Sequence, residues 1–273
     1  MDDWFPARPP LGRGAAAGSV TGRSAIGTLP DAAARGRRDH DLEDMALRFG
    51  MDIEPLFEDR WDAGRQLAGA LELRREPEPV VVGLARGGVV VAAEVARVLK
   101  APLDVVAVRK LGHPWQPEYG LGAVTPGDGV YVRGPDGLSG EQLGALIEEN
   151  QKQALLLDRR LHADQPALDL SGRTALLVDD GLATGATMVA ALRWAKASGA
   201  KRTVAAVPVA ATSTLELIRA EADEVVCPHA REHFLAVGVW YASFDPVGDE
   251  TVTRLVAENR RERDAVLPAP ART

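Results

Sequence analysis

The sequence is poor in cysteine and in long apolar runs, and its acidic residues outnumber its basic ones. Its 273 residues contain one cysteine, Cys227, so no internal disulfide can form and a reducing compartment is favoured. No run approaches the ~18 consecutive apolar residues of a membrane-spanning helix, and the first residues lack the apolar core of a signal peptide. A net charge of -7 disfavours a nucleic-acid-binding surface. We therefore expect a cytoplasmic protein that binds neither membrane nor nucleic acid.

The N-terminal segment shows little apolar periodicity. Up to about residue 40 it is rich in Pro, Gly, Ala and Arg. Such a segment cannot bury enough apolar surface to offset the entropy lost on ordering. We expect residues 1–50 to form a disordered tail and residues 57–266 to form one domain.

From about residue 57 onward, predicted strands alternate with predicted helices. This alternation is typical of a Rossmann-like α/β fold, in which a mostly parallel sheet carries helices on both faces. Ser139 and Gln142 have the spacing of a capping box at the start of the longest helix. Strands are expected at 80–84, 103–108, 130–132, 175–178, 203–207 and 224–227. Helices are expected at 59–71, from the end of the 85–88 turn through 99, and at 140–162, 186–197 and 213–220.

One segment joins a predicted strand to a helix through a loop of small residues. The strand, 175–178, is apolar, and the helix begins near residue 186. The first backbone N–H groups of a helix have no partner within it and carry the positive end of its dipole, so they bind phosphate well. Thr184 and Thr187 add hydroxyl donors, and Gly185 has no Cβ to keep a phosphate away from the backbone.

Two acids, Asp179 and Asp180, lie between this strand and the loop. Their carboxylates can accept hydrogen bonds from the vicinal hydroxyls of a sugar. Phosphate donors and hydroxyl acceptors in one segment predict a sugar-phosphate site, with an ordinary acidic turn as the alternative. A nucleotide triphosphatase loop is disfavoured, because Ala186 stands where that loop needs a lysine.

Two further predicted strands end in cationic residues. Arg86, Gly87 and Gly88 follow the first strand, and the glycines let consecutive backbone N–H groups surround an anion that Arg86 can pair with. Arg109 and Lys110 follow the second strand. Each pattern alone is equally typical of a plain turn or a solvated loop. The carboxyl ends of parallel strands meet at one edge, however, and together the three segments predict a site for a polyanionic sugar.

Residues 178–187 match, at every position, the motif of the type I phosphoribosyltransferases: an apolar strand, two acids, two variable residues, a small residue, Thr, Gly, a variable residue and Thr or Ser. The chain resembles this family over about 57–255. The resemblance implies the family's fold, with a small hood beside the sheet, and binding of 5-phosphoribosyl 1-diphosphate (PRPP). The PRPP ligands implied by the motif are Asp179, Asp180, Ala183, Thr184, Gly185, Ala186 and Thr187.

The resemblance also implies a Mg²⁺ ion, carried by the oxygens of PRPP and held by Asp179 and Asp180. In this family the loop after the first strand binds diphosphate and often contains a non-proline cis peptide, and a cation after the second strand approaches the same group. The residues that correspond are Arg86, Gly87 and Gly88 as PRPP ligands, and Arg109 and Lys110 as catalytic residues.

Residues 111–120 lie where the family has a flexible loop that closes over the substrate and excludes water. Two prolines and two glycines in this stretch favour a mobile lid.

At Ala183 the chain differs from several 6-oxopurine enzymes, which have an Asp at this position that exchanges a proton with the purine. Adenine phosphoribosyltransferases have Ala there and a Glu-Tyr-Gly sequence in the loop, as this chain has at 118–120. Glu118 is therefore our candidate for proton transfer, with a solvated carboxylate as the alternative.

Base recognition in the family comes from the hood, to which segment 228–241 could contribute. Trp240 or Phe234 could stack on a flat ring, although such aromatic residues are more often part of a core. Three nearby residues could suggest zinc but lack a fourth ligand and a regular spacing: Cys227, His229 and His233.

These observations favour transfer of the 5-phosphoribosyl group from PRPP to a nitrogenous base with release of diphosphate. The expected partners are PRPP, a small base and a second copy of the chain in a homodimer. The rival is a regulatory protein that binds PRPP without turnover, since the family contains such proteins. A member diverted to another phosphate ligand is a third possibility. Arg109, Lys110 and Glu118 favour catalysis, because a sensor could dispense with them.

Overall fold

A computed structural model of the chain describes residues 54–72, 79–163 and 165–266. All of these residues belong to one compact unit, 42–273. The tail expected at 1–50 lies outside the described residues.

The described part of the chain contains six α-helices, a short 3-10 helix at Gly238–Trp240 and ten strands. The helices are α1 (Arg60–Glu72), α2 (Gly87–Leu99), α3 (Gly140–His162), α4 (Ala186–Ala197), α5 (Thr212–Glu221) and α6 (Asp249–Val266). The strands are β1 (Pro79–Ala85), β2 (Leu103–Ala107), β3 (Arg109–His113), β4 (Gln116–Val124), β5 (Val130–Val132), β6 (Thr174–Val178), β7 (Arg202–Ala206), β8 (Val209–Ala211), β9 (Glu224–Val226) and β10 (His229–Arg231). None of these helices is long and apolar enough to cross a membrane.

The central sheet has five parallel strands in the order β2-β1-β6-β7-β9. Its apolar side chains alternate between two cores. One core joins the sheet to α1, α2, α3 and α6 through Leu67, Val91, Leu161 and Val252. The other joins it to α4 and α5 through Met188, Leu192, Leu215 and Ile218. Because both faces are covered, the strands are continuous apolar runs. The predicted fold class is therefore confirmed.

The segment expected to form a mobile lid, 111–120, lies largely in a β-hairpin. β3 and β4 pair antiparallel, and β5 adds a third strand beside residues 122–124 of β4. Leu111 and Leu121 are fully buried and anchor the hairpin, whereas residues 116–120 are exposed. Pro117 lies where β4 has a neighbour on one side only, a position at which a strand tolerates proline.

Two further strands and the last helix were not expected from the sequence. β8 and β10 pair in a small parallel sheet outside the main one, with Val209 opposite His229. Val209 packs with Phe57, Trp240 and Tyr241 in a separate cluster, in the region where the hood was expected.

The capping box predicted at the start of α3 is confirmed by two reciprocal hydrogen bonds between Ser139 and Gln142.

A buried charged group ties the end of α3 to β2. Nε2 of His162 lies 3.0 Å from Oδ1 of Asp104, and its Nδ1 lies 3.2 Å from Oδ2 of Asp158. Burial alone lowers the pKa of His162, but hydrogen bonds to the two carboxylates, and their charges, outweigh it and raise the pKa to about 10. The imidazolium therefore stabilises the folded state over the pH range in which it stays protonated.

We expect this contribution to decrease as the pH rises. The folded pKa lies above the ordinary value of 6.5, so the stabilisation is fully present below pH 6.5 and is lost as the pH passes about 10. Across this range, the difference in unfolding free energy between the wild type and His162→Gln should fall by a few kcal/mol, as measured by denaturant titration. The exposed His233 is the control, since His233→Gln should have little effect at any pH. A His162→Gln difference that does not change with pH would contradict this account.

Candidate functional site

The pairing of β1 with β6 brings two of the predicted site segments together. Gly83 of β1 is in register with Val178 of β6, so both strands end at the same edge. From β1 the sheet continues to β2 on one side, and from β6 to β7 on the other. Open α/β sheets bind ligands at the point where the strand order reverses in this way. The segments that follow the two strands, 86–88 and 179–187, therefore lie where a ligand site is expected.

Gly88 approaches the backbone of the acidic segment too closely for a larger residue, and Gly87 lies against the side chain of Asp180. A Cβ on Gly88 would lie 2.7 Å from the carbonyl oxygen of Val178 and 2.8 Å from Cα of Asp179. A Cβ on Gly87 would lie 2.0 Å from Oδ2 of Asp180. All three distances are below the 3.0 Å that real Cβ contacts respect. The two glycines thus set the distance between the predicted diphosphate loop and the acids.

Asp180 is held by residues that no sequence motif identified. Its carboxylate accepts a hydrogen bond from Nε of Arg60, the first residue of α1, at 2.8 Å. Its backbone carbonyl accepts one from the hydroxyl of Tyr241 at 2.5 Å. Arg60 also donates to the carbonyl of Asp245 at 2.8 Å, and its guanidinium carbon lies 3.7 Å from the ring centroid of Phe244. Arg60 and Asp180 are 120 residues apart, so no local pattern could reveal the contact.

Asp179 has a less favourable environment for negative charge. Burial and the neighbouring Asp180 raise the pKa of Asp179 well above its usual value, while a backbone hydrogen bond and the charges of Lys110 and Arg60 oppose the rise. Its Oδ1 accepts the N–H of Asp180 at 2.9 Å. A carboxylate in this position gains strongly from a cation or from hydroxyl donors, as expected for a ligand of a metal or a sugar.

The predicted phosphate loop has the conformation that its glycine requires. Gly185 has a φ of 75°, and a Cβ there would lie 2.7 Å from Cγ2 of Thr214. Oγ1 of Thr214 donates to the carbonyl of Ala183 at 2.6 Å and fixes the loop from α5. α4 starts at the next residue, and within the described residues no side chain caps its N-terminus. Thr184 is exposed and Thr187 is half-buried. The loop thus presents backbone and hydroxyl donors at a helix start.

The three predicted cations lie around one cavity at the ends of β1 and β2. Arg86, Arg109 and Lys110 line this cavity of about 420 Å³, whose other walls include Leu157 and Val247. The peptide bond before Arg86 is cis, as the family resemblance implies for this loop. The structure therefore places the two cationic segments together, next to the acids.

Asp249, at the start of α6, is a further neighbour of this cavity that sequence reasoning missed. Its Oδ1 accepts a hydrogen bond from Nε of Arg86 at 2.5 Å. Oδ2 lies 3.6 Å from Nη2 of Arg160.

The remaining predicted site residues have different environments. Glu118 lies on the exposed part of the β3–β4 hairpin, accessible but outside the cavity lining. Trp240 requires a correction: it is only 6% exposed, and its ring packs in the cluster with Phe57 and Tyr241. Phe234 packs on it at 5.9 Å between ring centroids. Trp240 is therefore a core residue with no free face for a base, and Phe234 contributes to the same packing.

The zinc alternative receives no support from the geometry. The described ranges contain no group of three or more His, Cys, Asp or Glu side chains placed to hold a metal ion. Burial raises the pKa of Cys227 to about 11, so its thiol stays neutral at ordinary pH.

Comparison with known proteins identifies the family. The model of the phosphoribosyl transferase domain matches residues 61–240, a range that contains the glycine loop, the acids and the phosphate loop. The chain belongs to the phosphoribosyl transferase domain family.

Several relatives are similar over most of this chain. Two Mycobacterium tuberculosis proteins, from strains H37Rv and CDC 1551, are named for a phosphoribosyl transferase and are each 45% identical over 214 residues, which are 77% of this chain and 48% of theirs. The chain thus spans about half the length of these relatives. The adenine phosphoribosyltransferase of Mycobacterium marinum is 30% identical over 71% of this chain and 88% of its own. The solved structure of TT1426 from Thermus thermophilus is 42% identical, with a TM-score of 0.65 over 74% of this chain and 98% of that one.

The close approach of the glycine loop can be tested with Gly88→Ala. The control is Gly144→Ala, at an exposed position of α3 with open space around it. Alanine has a higher helix propensity than glycine, so this change should stabilise the protein by about 1 kcal/mol. At Gly88 the added methyl meets backbone that cannot move aside. We therefore expect Gly88→Ala to lower the free energy of unfolding, measured by thermal unfolding, by roughly 1–3 kcal/mol. Equal stability of the two variants would show that the loop relaxes without cost.

Proposed function

We propose that this protein transfers the 5-phosphoribosyl group of PRPP to a nitrogenous base and releases diphosphate. The observation that carries the proposal is the meeting, at the neighbouring ends of β2, β1 and β6, of a cation-lined cavity, two acids and a donor-rich helix start. PRPP is complementary to all three, because it combines a phosphate, vicinal hydroxyls and a diphosphate.

The helix start at α4 would hold the 5-phosphate. Thr184 and Thr187 offer hydroxyls, and the first N–H groups of α4 offer backbone donors at the positive end of the dipole. The adjacent Asp179 and Asp180 would accept hydrogen bonds from the ribose hydroxyls. With both ends of the ribose 5-phosphate fixed, C1 would be directed toward the β1–β2 side of the site.

The cation-lined cavity would hold the diphosphate. In the reaction the bond between C1 and the diphosphate oxygen breaks, a bond between C1 and a base nitrogen forms, and that nitrogen loses its proton. Negative charge then develops on the departing diphosphate. Arg86, Arg109 and Lys110 would stabilise this charge as preorganised cations, together with the backbone N–H groups of the glycine loop.

Asp179 and Asp180 fit a Mg²⁺ site of the kind that the substrate completes. Mg²⁺ prefers carboxylate oxygens and usually takes one or two protein carboxylates besides phosphate oxygens and water. Asp180 already pairs with Arg60, so Asp179 is the more available ligand. When bound, Mg²⁺ would supply positive charge to the diphosphate and lower the pKa of Asp179.

The exposed hairpin of β3 and β4 would act as the lid. Its base carries Arg109 and Lys110 and is anchored by buried leucines, while the exposed first half of β4 carries Glu118. Closure would exclude water and bring Glu118 to the base for proton transfer. Ala183 offers no carboxylate to the base, and the M. marinum relative is an adenine phosphoribosyltransferase. Both support adenine as the first acceptor to test.

Two expectations from the sequence complete the proposal. We propose that the protein is cytoplasmic, on the strength of its single cysteine. We also propose that it acts as a homodimer.

PRPP binding should depend on Mg²⁺ and on the acids. By calorimetry we expect PRPP with Mg²⁺ to bind much more tightly than ribose 5-phosphate, which lacks the diphosphate, and we expect chelation of Mg²⁺ to weaken PRPP binding at least tenfold. Replacing Asp179 and Asp180 together by Asn should weaken binding while the fold, followed by circular dichroism, persists. Absence of heat with PRPP and Mg²⁺ in the wild type would refute the proposed function.

Turnover separates an enzyme from a PRPP sensor. We expect diphosphate release in the presence of PRPP, Mg²⁺ and adenine or another base, and Lys110→Ala should reduce the rate by roughly 10²-fold, since it removes a preorganised charge. Lys152→Ala, on the exposed side of α3, is the matched control and should keep the wild-type rate. PRPP binding without diphosphate release for any purine or pyrimidine would instead support the regulatory function.

A further inference from the structure

We propose that Arg60 is a positioning residue of the PRPP site, which fixes the carboxylate of Asp180 and offsets its charge. The inference rests on the proposed function, because it assigns a role to Arg60 in PRPP binding. No motif includes Arg60, and it lies just outside the residues that the family model matches, 61–240.

The geometry leaves Arg60 little freedom. The side chains of Arg60 and Asp180 are only 11% and 14% exposed, and Nε and Oδ2 are 2.8 Å apart. A second guanidinium nitrogen, Nη1, donates to the carbonyl of Asp245, and the guanidinium plane lies against Phe244. Three contacts from two parts of the chain therefore hold the cation in one place. Asp180 is fixed in turn, since Tyr241 also binds its backbone carbonyl.

Stability alone does not account for this arrangement. A buried ion pair loses much of its Coulomb energy to desolvation, so a pair of apolar residues would stabilise the fold about as well. The pair lies beside a second carboxylate, Asp179, in the site proposed for a polyanion. Without Arg60, the two acids would repel each other and the ligand. When Arg60 is present, its positive charge reduces this repulsion, and Asp180 remains an oriented acceptor for a hydroxyl.

Arg60 acts through Asp180 rather than on the ligand. Its Nε and Nη1 already donate to Asp180 and Asp245, and one face is occupied by Phe244. Removal of the partner that orients a metal or ligand side chain typically costs about 10–100-fold in affinity. We therefore expect Arg60→Gln to weaken binding of PRPP with Mg²⁺ by about tenfold or more.

The experiment measures PRPP binding by calorimetry and melting temperature for the full chain and five variants. Arg60→Gln removes the charge, Arg60→Lys keeps it, and Arg65→Gln is the control on the same helix, where Arg65 pairs with Asp62 on the surface. Asp180→Asn and the double variant Arg60→Gln/Asp180→Asn complete a thermodynamic cycle. The double variant removes both buried charges, so it should fold even if Arg60→Gln alone is too unstable to measure.

The expected result has three parts. Arg65→Gln binds as the wild type, Arg60→Lys recovers part of the affinity that Arg60→Gln loses, and the double variant binds no more weakly than Asp180→Asn. Full additivity in the cycle would show that Arg60 acts on the ligand or on the fold, and would overturn the inference. Wild-type affinity in Arg60→Gln, or no recovery in Arg60→Lys, would also overturn it.

These outcomes are distinct from failure of the proposed function. If the wild type itself does not bind PRPP with Mg²⁺, both the proposed function and the proposed role of Arg60 are refuted. If the wild type, Arg65→Gln and Arg60→Gln all bind PRPP equally well, only the proposed role of Arg60 is refuted.

Discussion

The parallel pairing of β1 with β6 is the constraint on which the rest of the site depends. It aligns two strand ends that are about a hundred residues apart, and it holds the turn after β1 against the acids after β6. Gly88 makes this contact possible, because a Cβ there would collide with the backbone of the acidic segment, and Gly87 lies against the carboxylate of Asp180. The sheet thus does more than support the loops. Its register sets the distance between the cations that would hold diphosphate and the acids that would hold ribose.

The electrostatics of the site follow from this short distance. Two adjacent carboxylates are unfavourable near a polyanion, and burial raises the pKa of Asp179 further. Lys110 and Arg60 oppose that rise. The acids and cations therefore lower the electrostatic free energy of each other's burial. The proposed ligand, a sugar with hydroxyls and a metal-bound diphosphate, would fit such a mixed surface better than a simple anion or a simple cation would.

The fold and the core of the site could be predicted because their signals are local. The strands of the sheet are short apolar runs, and residues 178–187 contain a complete motif. The hairpin escaped prediction because residues 116–120 are exposed throughout and show no alternation, so its proline and glycines indicated a loop. The last helix was missed because its apolar stripe is narrow, with Val252, Leu255 and Val256 buried among many charges. Trp240 was a candidate for base stacking because composition cannot distinguish a buried aromatic ring from one that faces a ligand.

The contacts made by Arg60 and Asp249 lay beyond sequence reasoning for a different reason. Arg60 comes before the first strand of the sheet, and Asp249 comes after the last one, yet both reach residues at the β1–β6 edge. Each contact is a single pairing across more than a hundred residues, set by how the peripheral helices pack on the sheet rather than by any pattern along the chain. The central strands and their loops therefore form the candidate site itself, whereas the segments before and after them hold its charged side chains in place. Changes in those outer segments are therefore expected to alter how these side chains are oriented while the motif itself stays intact.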